Sequence, residues 1–403
     1  MTMATGQRGT IRRRDIMLGV GMAGVASGMP MPAIAQNKPI RMGWIAAVTG
    51  AFASNAQAQD WGFHTMVQDL NDAGGVNGRM LEIVMRDSAG DPSKAVSFAK
   101  ELVYNEKVDV VCGPINSGEV LPTLGVISGG KTLQMVGGVI DELIDPVKYP
   151  LVFRNLNTNT QYIKIATRFC LEKLNRKKIA IIDDNTGYGV LAMQGLVRML
   201  DGLGLKPAFT VTVDPAKTDV TDEILKARSS GADVIQTWTN ATGFMARVLN
   251  ARGEQQWDVP IVGNPSMYQD QVGALLSKPA YWANAFAAGY ANSVTDANGK
   301  LPPATQAFLD KHKEGAAPYI KTAVFAIMQG ATSALIPVTG WRKAGTTEPF
   351  ATKAALETIP VIETPYGRFS YSPTDHNGFG DDGMAICIAN SRQPDGSLKA
   401  IPL

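Results

Sequence analysis

From Pro39 onward, short runs of apolar residues alternate with stretches that place an apolar residue every three to four positions. The runs read as strands buried on both faces, and the stretches as helices with one buried stripe. Residues 40–48 predict a strand. Residues 56–73 predict a helix, with Ala58, Phe63, Met66, Val67 and Leu70 on one face and Gly74-Gly75 as its stop. Residues 80–86 predict a second strand. Asp91-Pro92 then opens a helix, Asp as N-cap and Pro in the first turn, where its missing N–H costs nothing. Val96, Ala99, Leu102 and Val103 supply its buried face, and residues 108–112 follow as a third strand.

The alternation restarts beyond residue 158. Helices are expected at 162–174, 190–203, 220–229 and 244–252, with strands at 178–183, 208–213, 234–237 and 261–263. Two such runs predict an α/β protein of two doubly wound, Rossmann-like lobes, each a parallel sheet covered by helices. The tail differs: helices at 304–313, 319–336 and 346–359, then strands at 367–371 and 383–389.

The 403 residues, 45% of them apolar, suffice for more than one core. The first 35 are set apart. Arg8, Arg12, Arg13 and Arg14 precede a weakly apolar stretch that ends in Ala33-Ile34-Ala35, a small-x-small cleavage pattern. The run Arg12-Arg13-Arg14-Asp15-Ile16-Met17 resembles a twin-arginine export signal, the alternative being a general secretory signal. No cysteine near the cleavage site invites a lipid anchor. The whole chain holds 38 basic and 36 acidic residues; without the leader's four arginines and one aspartate it holds 34 and 35. A near-neutral chain with no cluster of Lys and Arg has no electrostatic case for nucleic acid. Cys112, Cys170 and Cys387 are an odd count and show no metal spacing.

Ligands of open parallel sheets bind beyond the carboxyl ends of the strands, so the loops there are the candidates. Ser117 follows the strand ending at Cys112 and lies near a helix start. It is either part of an anion cradle or simply an N-cap. Gly137, Gly138 and Val139 end the next strand, where adjacent glycines permit a close approach to backbone or form a plain turn. Tyr188, between glycines, offers a ring and a hydroxyl to a cleft edge. Trp238 either walls a ligand or belongs to the core, and Met267 and Tyr268 hold the analogous place one loop later. The glycine patterns of nucleotide sites are missing.

Several segments match a known family: Ile40-Arg41-Met42-Gly43 with Thr49-Gly50, the run Asn71-Asp72-Ala73-Gly74-Gly75-Val76-Asn77-Gly78-Arg79, the run from Arg86 to Ala95 containing Asp91-Pro92, residues 108–117, and Tyr188-Gly189. Over residues 38–395 the chain resembles the type I periplasmic solute-binding proteins of ABC importers, in particular the branched-chain amino-acid-binding (Leu/Ile/Val-binding) group. The resemblance implies two lobes joined by three hinge crossings, near Asn157, Ala287 and Thr364. The lobes would be residues 38–157 with 287–363, and 158–286 with 364–403. It implies a ligand gripped by Ser117, by Gly137, Gly138 and Val139, and by Tyr188 and Trp238; Asn116 and Met267 join the candidate ligand-binding residues by their places in the loops. Two departures bear on the ligand. Residues 264–267 read Asn-Pro-Ser-Met, without the acid that often pairs a ligand's ammonium, and Asn55 stands where an aromatic is usual. Gly90 and Asn116 replace the cysteine pair of some relatives.

An enzyme is not expected. His64, His312 and His376 are the chain's three histidines, and none has metal spacing or a nucleophile motif beside it. The expected function is a periplasmic, substrate-binding component that takes a small polar solute (a branched-chain or related amino acid, a carboxylate or an amide) to a membrane permease. The alternative is a periplasmic sensor of the same fold. No cofactor, metal or nucleic acid is expected, and the chain is expected to act as a monomer.

Overall fold

The computed structural model describes residues 38–50, 53–296 and 298–403, so the expected leader lies outside the described residues. Chain order opens with β1 (Ile40–Ala46), α1 (Ala53–Asp72), β2 (Leu81–Asp87), α2 (Pro92–Lys100), β3 (Val110–Cys112), α3 (Ser117–Gly130), β4 (Leu133–Val136) and β5 (Val152–Arg154). These strands form one parallel sheet in the order β2-β1-β3-β4-β5. Both faces are apolar and the side chains alternate between them. Met42, Trp44, Val110 and Cys112 face α1, whereas Ile45 and Val111 pack with Leu102, Val120 and Leu124 on the other side. Trp44 stacks on Phe63 with ring centroids 4.4 Å apart and 4° between planes.

The second run comprises α4 (Asn159–Arg168), β6 (Ile179–Asp184), α5 (Gly187–Gly202), β7 (Phe209–Val213), α6 (Thr221–Ser229), β8 (Val234–Thr237), α7 (Thr242–Glu254), β9 (Ile261–Gly263), α8 (Asp270–Ala274), β10 (Ala285–Tyr290) and β11 (Val294–Thr295). Then come α9 (Pro303–Lys311), α10 (Lys313–Ala344), α11 (Pro349–Leu356), the hairpin strands β12 (Ile362–Glu363) and β13 (Arg368–Phe369), β14 (Met384–Ile388) and β15 (Leu398–Ile401). The second sheet runs β11-β15-β14-β10-β9-β8-β6-β7, parallel from β7 to β10, with β14 antiparallel to β10. In each sheet the strand order reverses at one place, between β1 and β3 and between β6 and β8. Those are the switch points where a crevice opens.

The expected helix at 319–336 is longer. Here α10 runs through Pro318 and Pro337, because tertiary packing overrides their helix-breaking tendency. It lies backbone to backbone on α1: a Cβ at Gly330 would stand 1.9 Å from the Gln59 carbonyl oxygen, and one at Gly62 would stand 2.1 Å from that of Ile327. The segment Val324–Ala344 is long and apolar enough to cross a membrane, yet its surface is mostly buried within the fold.

Two expected crossings move. Residues 287–295, expected in the first lobe, remain in the second sheet through β10 and β11, so the second crossing follows Thr295. The third crossing is not near Thr364. Residues 371–377 lie on β5: Arg154 N donates to His376 O at 2.9 Å, Tyr371 Oη donates to Arg154 O at 2.7 Å, and the His376 ring stacks on Phe153 at 3.9 Å. The chain leaves the first lobe only around 380, where Gln161 of α4 donates to Phe379 O at 2.8 Å. The first crossing, residues 155–158, ends in a capping box between Thr158 and Gln161 that starts α4.

Candidate functional site

On the first lobe the loops after β3 and β4 meet. Asn116 is the N-cap of α3: its Oδ1 accepts Glu119 N–H at 3.0 Å, and its Nδ2 donates to the Glu119 carboxylate. The capping role therefore falls to Asn116, which frees Ser117 from it. The Ser117 Oγ accepts Ile140 N–H at 3.3 Å. This needs the loop after β4 to lie against the start of α3, and Gly138 allows it, since a Cβ there would stand 2.9 Å from Ser117 Oγ and 3.0 Å from Ser117 Cα. Gly137 is similarly pressed against Gln329 of α10, which Gln59 of α1 joins through a 2.5 Å hydrogen bond. Among the described residues, the N–H groups of Gly138 and Val139 donate to no acceptor in the chain. Two free amides and a serine hydroxyl thus lie beside the N-terminus of α3, a kind of place that suits an anion.

On the second lobe Tyr188 stands in the first turn of α5, which Thr186 caps. It is half-buried, and its hydroxyl accepts Asn264 Nδ2–H at 3.1 Å. Burial pushes its phenol well above the usual range. Asn264, in the loop after β9, also donates to Asn240 Oδ1 at 3.1 Å. Trp238 is fully buried, with its backbone N–H on Asp183 Oδ1 at 2.7 Å and, among the described residues, no partner for its indole Nε1. Its ring lies 6.4 Å from that of Tyr162, whose hydroxyl is bonded to that of Tyr290. Burial pushes Tyr290 up to about 12 and Tyr162 well above its usual value. Tyr290 stacks on Phe325 of α10 at 5.0 Å, so this aromatic wall reaches from one lobe to the other. Asn159 N donates to Val139 O at 2.7 Å and ties α4 to the first-lobe cradle.

The structure thus brings Asn116, Ser117, Gly137, Gly138 and Val139 together, and separately places Tyr188 by Asn264 with Trp238 behind Tyr162. Met267 is not brought to them. It is fully buried in the core formed with α7, next to Gly263 and Met245, because the turn after β9 directs its side chain under the sheet. Sequence reasoning missed Tyr162, Tyr290 and Gln329, whose neighbours come from distant parts of the chain. It also missed Asp183 and Arg154, although Arg154 ends an otherwise apolar strand and Asp183 is the first of two aspartates that close another, which is a readable signal. Burial pushes the Asp183 carboxyl well up, and among the described residues its Oδ2 has no partner. The three histidines stand apart: His64 by Asp60, His312 on Asp69, and His376 between Val152 O and Glu357. Among the described residues no group of His, Cys, Asp and Glu is placed to hold a metal, and all three cysteines are free and buried.

Residues 39–391 match the family model described as periplasmic binding protein. The chain belongs to that family. It is a binding protein and not an enzyme. It is 26% identical over 338 residues to the Leu/Ile/Val-binding protein homolog 3 of Brucella melitensis, covering 83% of this chain and 88% of that one. Among solved structures, a type 1 periplasmic binding protein from Bordetella pertussis superposes with a TM-score of 0.76 at 20% identity, covering 91% of this chain and 100% of the other. LivJ of Streptococcus pneumoniae, solved with isoleucine, gives 0.73 at 19% identity and covers 90% and 99%. A Rhodopseudomonas palustris solute-binding protein solved with 4-hydroxybenzoate gives 0.74 at 19% and covers 91% and 96%. At these identities the superpositions establish the fold: two α/β lobes joined by three crossings.

Proposed function

We propose that this binding protein captures a small polar solute between its lobes in the periplasm and hands it to the membrane permease of an ABC importer. The observation that supports this reading is the pair of free amides at Gly138 and Val139 beside Ser117, with Tyr188 and Asn264 on the other lobe. Such a set grips a compact ligand without chemistry on it, and contacts made to both lobes favour the closed state. The solute is an amino acid of the branched-chain type, a related carboxylate or an amide; the relatives named for leucine, isoleucine and valine favour the first. A second reading, an acid that carries no ammonium, is favoured by Asn264, because that loop offers no carboxylate to pair a buried cation. The leader expected from the first 35 residues supports export, with the site acting outside the cytoplasm.

Screening by thermal shift against amino acids, aliphatic and aromatic acids and amides tests the proposal, because a ligand bound only by the folded state raises the melting temperature. Ser117→Ala and Tyr188→Ala should each weaken the hit in calorimetry while the protein stays folded. Unchanged affinity in both variants would move the site elsewhere.

A further inference from the structure

Arg154 ends β5, and its side chain is fully buried. A buried guanidinium normally sits against a carboxylate, because an unpaired internal charge is costly. Here, among the described residues, no carboxylate forms an ion pair with it. The donors go to neutral acceptors: Nη1 to Gly138 O, Nη2 to Ile140 O at 2.6 Å and Nε to Asn377 Oδ1 at 2.9 Å. Asp141, Asp375 and Glu142 act on it only through longer-range charge, and burial lowers its pKa to about 10. It therefore remains a cation at neutral pH.

The geometry of this grip matters to the cradle. In a trans peptide the C=O and N–H point to opposite sides. Holding Gly138 O toward Arg154 turns the Val139 N–H away from it. The next peptide is fixed at both ends as well, by Asn159 N–H on Val139 O and by Ser117 Oγ under Ile140 N–H. We propose that Arg154 is the positioning and charge-selecting residue of the ligand site: from behind the loop after β4 it aims the Val139 amide into the cleft, and its charge, which among the described residues no carboxylate contacts directly, selects a solute whose gripped end is an anion over the neutral counterpart. This rests on the capture reading above and narrows its ligand class from polar solutes to carboxylates. Fixed dipoles aligned by a cation act on a charge at short range and in low dielectric, where one partner changes affinity about tenfold to a hundredfold.

The test is calorimetry at pH 7.5 with two acid–amide pairs, L-leucine with L-leucinamide and 4-hydroxybenzoate with 4-hydroxybenzamide. The proteins are the wild type, Arg154→Gln and Arg154→Lys, with folding checked by circular dichroism. The wild type should bind one acid at least about tenfold tighter than its amide. Arg154→Gln should lose about tenfold to a hundredfold on the acid and under about threefold on the amide. Arg154→Lys keeps the charge but not the two-pronged grip; it should weaken binding while still preferring the acid, and it carries the test if the Gln variant does not fold. Equal losses on acid and amide, loss of the acid preference in the Lys variant, or a wild type indifferent to the acid's charge would overturn the proposal. A wild type that ignores all four compounds but is stabilised by a neutral solute of the thermal-shift panel also overturns it, leaving capture intact. A protein stabilised by nothing sinks the capture reading instead.

Discussion

Replacing Gly138 by alanine places one methyl group where the loop after β4 touches the start of α3. The new carbon would stand 2.4 Å from Leu143 Cδ1, 2.9 Å from Ser117 Oγ and 3.0 Å from Ser117 Cα. Leu143 can change rotamer, but the Ser117 Cα is helix backbone and cannot. Ordinary carbon contacts need about 3.5–4.0 Å, so the loop must retreat by roughly 0.5–1 Å. That retreat breaks the Ile140–Ser117 bond, already 3.3 Å long, and carries the free Val139 amide away from Ser117. Overpacking of this kind costs about 1–3 kcal/mol of stability. Losing a hydrogen bond to a charged ligand group costs about 1.5–3 kcal/mol of affinity, on the order of tenfold to a hundredfold. Urea unfolding measures the first effect, and calorimetry with the best-stabilising acid of the screen measures the second. A variant that is destabilised as stated yet binds that acid within about threefold of wild type would show that the loop after β4 does not hold the ligand. A variant unchanged in both would refute the packing argument itself.

Gly330→Ala on α10 sets a carbon 1.9 Å from the Gln59 carbonyl of α1, backbone against backbone. Urea unfolding should report a loss of about 3 kcal/mol or failure to fold, at the upper end of overpacking costs; near-wild-type stability would mean that the two helices are not in contact there. Cys112, Cys170 and Cys387 are free and buried, and burial pushes Cys170 and Cys387 up to about 12. Native protein should therefore react negligibly with a thiol reagent and expose three thiols in denaturant, with the melting temperature indifferent to reductant; rapid native labelling would contradict this packing.

What the chain's pattern makes legible, and what it does not, follows from the range of the interactions involved. The strands and their helices are local, and the period-two and period-three-to-four patterns place them, because each face has a core to fill. The loops beyond the carboxyl ends of the strands follow from the element order, so Ser117, Gly138 and Tyr188 are nameable as candidates from residue type and position. The crossings cannot. Residues 371–377 return to β5 through His376 on Phe153 and Tyr371 on the Arg154 carbonyl, contacts spanning more than two hundred residues, and no local pattern announces them. The same holds for Met267, whose place after a strand matches that of Trp238 while its side chain turns into the core. Arg154 combines both cases. A charge closing the run Leu151-Val152-Phe153 is visible in the sequence, but its meaning depends on the neutral acceptors that meet it, which only the assembled fold reveals. Three neutral oxygens enclose the guanidinium behind the loop after β4, with Asp141, Glu142 and Asp375 reaching it only at longer range, and so an anion received by the Gly138 and Val139 amides would complete its compensation.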